Sequence, residues 1–250
     1  MTVPDGYRAL RGRGVRALVR TDLADALAQW LVATPLALPP GSERISGGRG
    51  AVWRLTLPHG LRAVLRCYRR GGFAARVVRG TYLGLTPRPF RELAVTAEAR
   101  RRGVAAAEVL AARVEGRLAY RGAILTAEVV GAVTLLEALR QAGDAARRRA
   151  LAAGAGHVVA AMHRAGVCHA DLNLTNLLAP VRGAVDVTVL DFDRARLTPG
   201  PLSARARCRN LRRLARSLQK LDPAGGLAAP EDIAAFHAAY GTAAEVPCAS

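Results

Sequence analysis

The sequence lacks several features that would place it in other classes of protein. It has no uninterrupted apolar run of about 18 residues, the length that a membrane-spanning helix needs. Its first residues, MTVPDGYRALRGRG, lack the apolar core of a signal peptide. Its four cysteines lie far apart, without the paired spacing of a zinc site. We therefore expect a globular protein that stays in the cytosol and holds no structural zinc.

Acidic residues, lysine and aromatic residues are also scarce. The 250 residues include 37 Lys or Arg and 19 Asp or Glu, for a formal net charge of +18, and Lys220 is the only lysine. This charge favours phosphate-rich partners such as nucleotides, nucleic acid or an anionic membrane, although abundant Arg is also typical of a GC-rich genome. Only 4% of the residues are aromatic and no nucleic-acid-binding motif is present, so we expect no nucleic acid partner.

The apolar pattern predicts strands in the first half of the chain and helices in the second. Thr21 is expected to cap the first helix, and Thr134 with Glu137 forms the capping box of a short one. Helices are predicted at 22–33, 89–102, 144–165, 202–221 and 229–240, and strands within 42–68, at 109–114 and at 123–130. This order indicates an α+β fold with two lobes: residues 1–130 form an N-terminal extension and a β-rich lobe, and residues 131–250 a mostly helical lobe.

The string His169-Ala-Asp171-Leu-Asn-Leu-Thr-Asn176 carries the strongest chemical signal. It follows the long helix, and fifteen residues further on a short strand leads to Asp191-Phe192-Asp193. Phosphoryl transfer needs such a set, with Asp171 accepting the proton of the attacking hydroxyl and with Asn176 and Asp191 holding Mg²⁺ against the nucleotide phosphates. A lone Asp in a turn is usually a turn residue, so the signal lies in the order of the elements. His169 is expected to be structural, bonded to the backbone of the loop.

The same template predicts a phosphate-binding region upstream. Gly48 and Gly50 lie in a Gly-rich turn between two strands, where the backbone can cover the phosphates of ATP. On the next strand Arg66 occupies the place of the usual lysine and can still bind phosphate. Glu92 on the following helix is expected to pair with Arg66, and Glu98 is the alternative.

Two further segments are interpreted in the same way. Residues 123–130, AILTAEVV, are expected to connect the lobes and to bind adenine through the backbone around Glu128. A cluster of arginines after the third strand either faces an anionic acceptor or membrane leaflet, or is a solvated basic face. These arginines are Arg69, Arg70, Arg76 and Arg79.

Together these motifs resemble the lipopolysaccharide kinase family, and most of all its members that act on the sugar 3-deoxy-D-manno-octulosonic acid (Kdo). The strings CHADLNLTNLL and VLDFDRARL carry the resemblance. GGRGAVWRL, AVLRCYRRGG and RPFRELAVTAEARRRGV support it in the same order, and LRCYRRGG also accounts for the arginine at the lysine position.

The resemblance implies a protein-kinase-like fold and phosphorylation of the 4-hydroxyl of Kdo on a Kdo-lipid A precursor, with ATP and Mg²⁺. It implies a peripheral protein at the cytoplasmic face of the bacterial inner membrane, and we infer no obligate protein partner. By position, it makes Asp171 the catalytic base, Asn176 and Asp191 the Mg²⁺ ligands, and Arg66 and Glu92 the ion pair at the phosphates.

Three alternatives stay open at the level of the sequence. A heptose kinase of the same pathway would share all of these motifs. An aminoglycoside-type phosphotransferase would need an acidic pocket for its cationic acceptor, which the net charge of +18 disfavours. An inactive kinase-like binding protein is suggested by the missing strand lysine, but it has no chemical need for Asp171, Asn176 and Asp191 together.

Overall fold

The computed structural model of the chain describes residues 3–45, 51–68, 82–83, 87–117 and 119–241. The chain divides into two compact units, of which unit 1 comprises Met1–Ala97 and Glu108–Glu128, and unit 2 comprises Glu98–Ala107 and Val129–Ser250. Several residues with predicted roles lie outside the described residues, and those roles stay predictions. They are Gly48, Gly50, Arg69, Arg70, Arg76 and Arg79.

Unit 1 contains an antiparallel sheet, as expected from short segments of alternating apolar residues bounded by turns. Its described strands are β1 (Tyr7–Gly12), β2 (Val15–Arg20), β3 (Glu43–Ile45), β4 (Val52–Thr56), β5 (Arg62–Cys67), β6 (Tyr82–Leu83), β7 (Val109–Gly116) and β8 (Ala119–Ala127). They pair in the order β1-β2-β7-β8-β5-β4-β3, and β6 pairs with β8. Strand β5 therefore lies inside the sheet, between β4 and β8.

Two helices pack on opposite faces of this sheet. They are α1 (Ala24–Val32) and α2 (Arg88–Arg101), and the residues of α2 up to Ala97 belong to unit 1. Leu27 of α1 shares a buried cluster with Leu125 of β8, whereas Leu93 of α2 shares one with Ile124 of the same strand. Neighbouring residues of a strand point to opposite faces, so both faces of the sheet are covered.

Unit 2 is mostly helical, and its helices are α3 (Leu135–Arg140), α4 (Ala145–Arg164), α5 (Ala204–Leu221) and α6 (Pro230–Gly241). Its described strands are β9 (Ala132–Thr134), β10 (Val167–Cys168), β11 (Leu177–Pro180), β12 (Thr188–Val189) and β13 (Arg196–Leu197), which pair as β12-β11-β9 and β10-β13. The capping box predicted at Thr134 and Glu137 is confirmed. Helix α4 begins after Asp144, whose side chain accepts the N–H of Arg147 at 2.7 Å, and it ends before Gly166, which has a φ of 74°.

Helices α4 and α6 approach closely at a glycine. A Cβ added at Gly156 would collide with the carbonyl oxygen of Phe236 and would lie 3.1 Å from the Cβ of Ala239. The absence of a side chain at Gly156 is therefore what lets the two backbones meet. Across the described stretches of the chain, none of the helices has both the length and the apolar character that a bilayer crossing requires.

Candidate active site

Arg66 and Glu92 form an ion pair within unit 1, between β5 and α2. Nη2 of Arg66 donates to Oε1 of Glu92 at 2.5 Å and to Oε2 at 2.7 Å. The Glu92 side chain is only 4% exposed, whereas that of Arg66 is 29% exposed. Burial of a carboxylate is costly unless a charge and hydrogen bonds compensate it. Glu92 therefore needs the Arg66 guanidinium, and the pair keeps that guanidinium in one place. The structure thus pairs the two residues as the sequence predicts, and their binding of phosphate stays a prediction.

Tyr68 completes the surroundings of Glu92. Its hydroxyl donates to Oε2 of Glu92, and Cζ of Arg66 lies 5.1 Å from the centre of its ring. Sequence reasoning missed Tyr68, although the period of two along a strand places it on the same face as Arg66. The alternative partner, Glu98, bonds instead to Arg101 and Arg102, and these hydrogen bonds lower the pKa of its carboxyl to about 2.

Glu128, predicted at the adenine-binding connection, is held by two arginines of neighbouring strands. Its carboxylate accepts from Nε of Arg54 at 2.8 Å and forms a salt bridge with Nε of Arg62 at 2.7 Å. Its backbone N–H donates to the carbonyl of Arg62 at 3.0 Å. Because this N–H is already used within the protein, adenine would have to be bound by other backbone groups of 123–130. The assignment of Glu128 stays a prediction.

In unit 2, His169 holds the loop that carries Asp171. It follows β10 directly and is 1% exposed. Its Nε2 lies 2.9 Å from the carbonyl of Leu190 and therefore carries the proton, while Nδ1 accepts the backbone N–H of Asp171 at 3.2 Å. Burial lowers the pKa of the His169 imidazole and favours its neutral form. His169 is a structural loop residue, as predicted, and it positions the backbone of Asp171.

The same loop is closed by the side chains of two asparagines. The amide nitrogens of Asn176 and Asn173 donate to the carbonyl of Asp171 at 2.8 and 3.0 Å. Oδ1 of Asn173 accepts the N–H of Thr175 at 2.8 Å and that of Asn176 at 3.1 Å. These contacts fix the backbone around Asp171, which is itself exposed. Sequence reasoning missed Asn173, whose side chain makes the kind of local turn that asparagine favours.

Strands β11 and β12 bring Asn176 and Asp191 to the same end of a hairpin. Leu177 pairs with Val189 across the two strands. The N–H of Leu190 donates to the carbonyl of Asn176 at 2.8 Å, which extends the pairing by one step. Asn176 precedes β11, and Asp191 follows Leu190 directly. Two residues fifteen positions apart in the sequence are thereby placed next to each other at the strand ends.

Asp191 has an uncommon backbone conformation. Its φ of 61° lies in the left-handed region, which residues other than glycine rarely occupy. Residues held in such uncommon conformations are concentrated at functional sites. Oδ1 of Asp191 accepts the N–H of Asp193 at 3.4 Å. Phe192 between them is 2% exposed, and its ring meets that of His169 edge-on with centroids 5.3 Å apart. The buried Phe192 thus anchors the turn on which Asp191 lies.

Asn176 and Asp191 fit a magnesium ion by the chemistry of their donor atoms. The amide oxygen and the carboxylate are the hard oxygen ligands that Mg²⁺ prefers. Mg²⁺ at kinase sites takes one or two protein side chains and completes its coordination with substrate phosphates and water. Within the described residues, no group of three or more His, Cys, Asp or Glu lies close enough together to hold a metal ion. The roles of Asn176 and Asp191 as ligands stay predictions.

A buried hydrogen-bond network supports the loop from behind. Asn210 of α5 accepts the N–H of His169 through Oδ1 and donates through Nδ2 to its carbonyl, both at 3.0 Å. Oδ1 also lies 3.3 Å from Nε2 of His163, whose Nδ1 is 2.8 Å from the hydroxyl of Tyr240. Burial lowers the pKa of His163 to about 4 and raises that of Tyr240. Sequence reasoning missed Asn210, His163 and Tyr240. The one signal in the sequence that could have indicated them is that each is a polar residue on the apolar side of its helix.

Comparison with known proteins agrees with this geometry. A family model described as "Lipopolysaccharide kinase (Kdo/WaaP) family" matches residues 44–240. The chain belongs to this family. A curated relative in the lipopolysaccharide kinase family, named 3-deoxy-D-manno-octulosonic acid kinase, comes from Xanthomonas axonopodis pv. citri. It is 39% identical over 244 residues, which cover 94% of this chain and 92% of the relative. A second, of the same name and from Xanthomonas campestris pv. campestris, is 41% identical over 180 residues, covering 70% and 68% of the two chains.

Solved structures of other proteins share the fold of this member of the lipopolysaccharide kinase family. WaaP, solved in complex with acyl carrier protein, aligns with a TM-score of 0.57 at 21% identity, over 91% of this chain and 89% of WaaP. The Rio2 kinase of Chaetomium thermophilum, solved as an ADP/Mg²⁺-phosphoaspartate complex, aligns with a TM-score of 0.50 at 16% identity, over 81% and 69% of the two chains. The predicted kinase-like α+β fold is therefore confirmed, as is the prediction of a kinase of lipopolysaccharide synthesis.

Proposed function

We propose that this chain is an ATP-dependent sugar kinase that phosphorylates the 4-hydroxyl of Kdo on a Kdo-lipid A precursor. The observation that carries the proposal is the arrangement of the loop in unit 2. There, Asp171 and Asn176 are joined by a side-chain hydrogen bond, and Asn176 is joined to the Asp191 turn by the Leu190 N–H. Curated relatives named as kinases of Kdo, which align over most of their length, support the choice of acceptor.

Each residue has a separate task in this reaction. The exposed carboxylate of Asp171 takes the proton of the attacking hydroxyl, and His169 and Asn176 hold its backbone in place. Arg66, held by Glu92, binds phosphate oxygens of ATP. Asn176 and Asp191 would hold Mg²⁺, which would supply positive charge at the phosphates. Positioning and charge are the main contributions because the protein forms no covalent bond to the transferred group.

We further propose that the protein acts at the cytoplasmic face of the bacterial inner membrane as a peripheral protein. The acceptor is a lipid with anionic head groups, and the formal net charge of +18 would attract the protein to a surface that carries such lipids.

The proposal is tested by a mass-spectrometric transfer assay with ATP, Mg²⁺ and a Kdo-bearing lipid A precursor. We expect a gain of one phosphate on the Kdo unit, with kcat reduced by roughly 10²–10⁴-fold in Asp171→Asn. The matched control is Asp186→Asn, an exposed aspartate of the same unit outside the loop, which should leave kcat unchanged. Asp191→Asn should weaken Mg²⁺-dependent ATP binding.

Each other outcome of this assay identifies a different function. Transfer to a heptose acceptor but not to Kdo would indicate a heptose kinase. Mg²⁺-dependent ATP binding without transfer to either sugar would reject both acceptors. Absence of both transfer and ATP binding would leave the inactive binding protein as the remaining interpretation. Wild-type activity in Asp171→Asn would contradict the assignment of the base.

A further inference from the structure

Helix α5 carries a stripe of basic residues on one face. At 3.6 residues per turn, the positions that follow a residue by 4, 7, 8, 11 and 15 lie with it within about one quarter of the helix circumference. Six of the seven basic residues of α5 fall in this sector, and the helix contains no Asp or Glu. We call these six residues the basic face. They are Arg205, Arg209, Arg212, Arg213, Arg216 and Lys220.

The opposite side of α5 is fixed to unit 2, so the direction of the basic face is set by the fold. Asn210 and Leu214 are buried, and Asn210 holds both backbone groups of His169. The hydroxyl of Ser217 accepts the backbone N–H of Leu174 at 3.3 Å. Two points of α5 are thus bonded to the segment 169–176, which carries Asp171 and which we call the catalytic loop. All members of the basic face except the half-buried Arg213 are exposed to solvent.

Among the described residues, no carboxylate pairs with the positive charges of the basic face. Within the described parts of the chain, none of its six residues belongs to a salt bridge. Like charges one turn apart on a helix repel each other, so the arrangement does not serve the stability of α5. A genome rich in arginine codons raises the number of arginines, and burial of one side of α5 directs them to the other, where no carboxylate of the helix balances them.

The chemistry and length of the basic face favour an extended anionic partner. The stripe runs straight for about 22 Å, at 1.5 Å per residue over fifteen steps. The large apolar side chains exposed in the described residues, Val3, Leu38, Val130 and Ile233, do not lie on α5. The basic face therefore offers neither an apolar anchor for a peptide nor an aromatic ring on which a nucleic acid base could stack. Its guanidinium groups suit the phosphates of lipid head groups.

We propose that the basic face of α5 docks this protein on the surface of an anionic lipid bilayer. The proposal deepens the peripheral membrane location proposed above and rests on it. Arg213, at the edge of the basic face, lies close enough to His169 for its charge to act on that imidazole. Because α5 holds the loop of Asp171 by its other side, docking through the basic face would also hold that loop at a fixed distance from the bilayer, about one helix diameter of roughly 10 Å.

The first test measures binding to phosphatidylcholine vesicles with and without phosphatidylglycerol. The variant is Arg209→Gln/Arg212→Gln/Arg216→Gln, which leaves Arg213 and the buried side of α5 intact. We expect its partition onto the anionic vesicles to fall roughly 100-fold, because each basic residue near such a surface contributes about a fivefold factor. Wild-type binding should require phosphatidylglycerol and should weaken steeply above about 0.1 M salt, where the Debye length falls below about 10 Å.

The matched control removes the same charge elsewhere in unit 2. Its substitutions are Arg140→Gln, Arg149→Gln and Arg164→Gln, at exposed helical positions without salt bridges in the described structure. If the control weakens binding as much as the variant does, total charge alone attracts the protein and the proposal is wrong. Equal binding of the wild type and the variant to the anionic vesicles would also overturn it. The proposal would be wrong as well if the variant lost binding to a soluble acidic protein but kept its binding to the vesicles.

Two further measurements separate this proposal from folding and from the proposed function. A second variant, Arg209→Lys/Arg212→Lys/Arg216→Lys, retains the charge and should retain vesicle binding even if the Gln variant folds poorly. Phosphate transfer to the acceptor in neutral detergent micelles should be the same in the Gln variant and the wild type. If the wild type transfers no phosphate in micelles, the proposed function fails, while the vesicle measurements still decide whether the basic face docks on lipid.

Discussion

The buried His163 should make this protein lose stability in mild acid. Its imidazole is 1% exposed, donates through Nε2 to Asn210 and accepts the Tyr240 hydroxyl at Nδ1. Burial, with a smaller contribution from the charge of Arg207, lowers its pKa from 6.5 to about 4. An unfolded chain takes up this proton near pH 6.5, whereas the folded one stays neutral until about pH 4. Between these values the unfolded chain binds more protons, so stability decreases as the pH falls.

The size of the loss follows from the difference between the two pKa values. One pKa unit corresponds to about 1.4 kcal/mol, so titration of His163 should remove about 3 kcal/mol between pH 6.5 and pH 4. The contribution is complete above pH 6.5 and does not fall further below about pH 4. A loss of this size is a large part of the 5–15 kcal/mol that stabilises a typical domain.

The assay is urea unfolding at a series of pH values, on the wild type and on His163→Gln. The variant is expected to be less stable at neutral pH but to lose about 3 kcal/mol less than the wild type on acidification, since it lacks the titrating group. His169 is also buried with a lowered pKa, but it is present in both proteins, so the comparison isolates His163. His157→Gln, at an exposed position of the same helix, should follow the wild-type profile. Parallel profiles for wild type and His163→Gln would refute the reasoning.

Three further changes test other parts of the structure. Glu92→Gln removes the buried carboxylate that Arg66 bonds to and should lower the free energy of unfolding by about 1–3 kcal/mol, below the range for fully buried pairs because Arg66 is partly exposed; urea unfolding measures this, and Glu98→Gln should cost less, because its ion pairs with Arg101 and Arg102 are more exposed. Gly156→Ala should destabilise by roughly 1–3 kcal/mol in thermal melts, because its Cβ would press on the backbone of α6. Asn210→Ala should lower kcat while Mg²⁺-ATP binding is retained, since it frees the loop of Asp171; an unchanged kcat would show that Asn210 does not position the loop.

Features that depend on neighbouring residues could be predicted from the sequence. Helix α4 was expected at 144–165 and spans Ala145–Arg164, because Asp144 and Gly166 are local start and stop signals. The role of His169 also followed from its own loop. The first helix was predicted less well: it begins at Ala24 after a turn of 3₁₀ helix, and Thr21 does not cap it.

Features that depend on distant residues could not be predicted in this way. His163, Asn210 and Tyr240 lie on three different helices, and nothing in the local pattern of one helix indicates the polar group on another. The β1–β2 hairpin was missed because β1 is largely exposed and has little apolar alternation. The pairing of Arg66 with Glu92 rather than Glu98 was predicted correctly, but from the order of parts in the phosphoryl-transfer template and not from the helix pattern.

The hairpin of β11 and β12 makes the relative position of Asn176 and Asp191 independent of the number of residues between the two strands. Both residues lie at the open end of the hairpin, while the connection at 181–187 forms its other end and is mostly exposed. Residues added to or removed from that connection need not move the paired strand ends, so insertions there should be tolerated. A search for distant relatives should therefore hold the spacing within His169–Asn176 and within Asp191–Asp193 fixed and let the interval between the two strings vary freely.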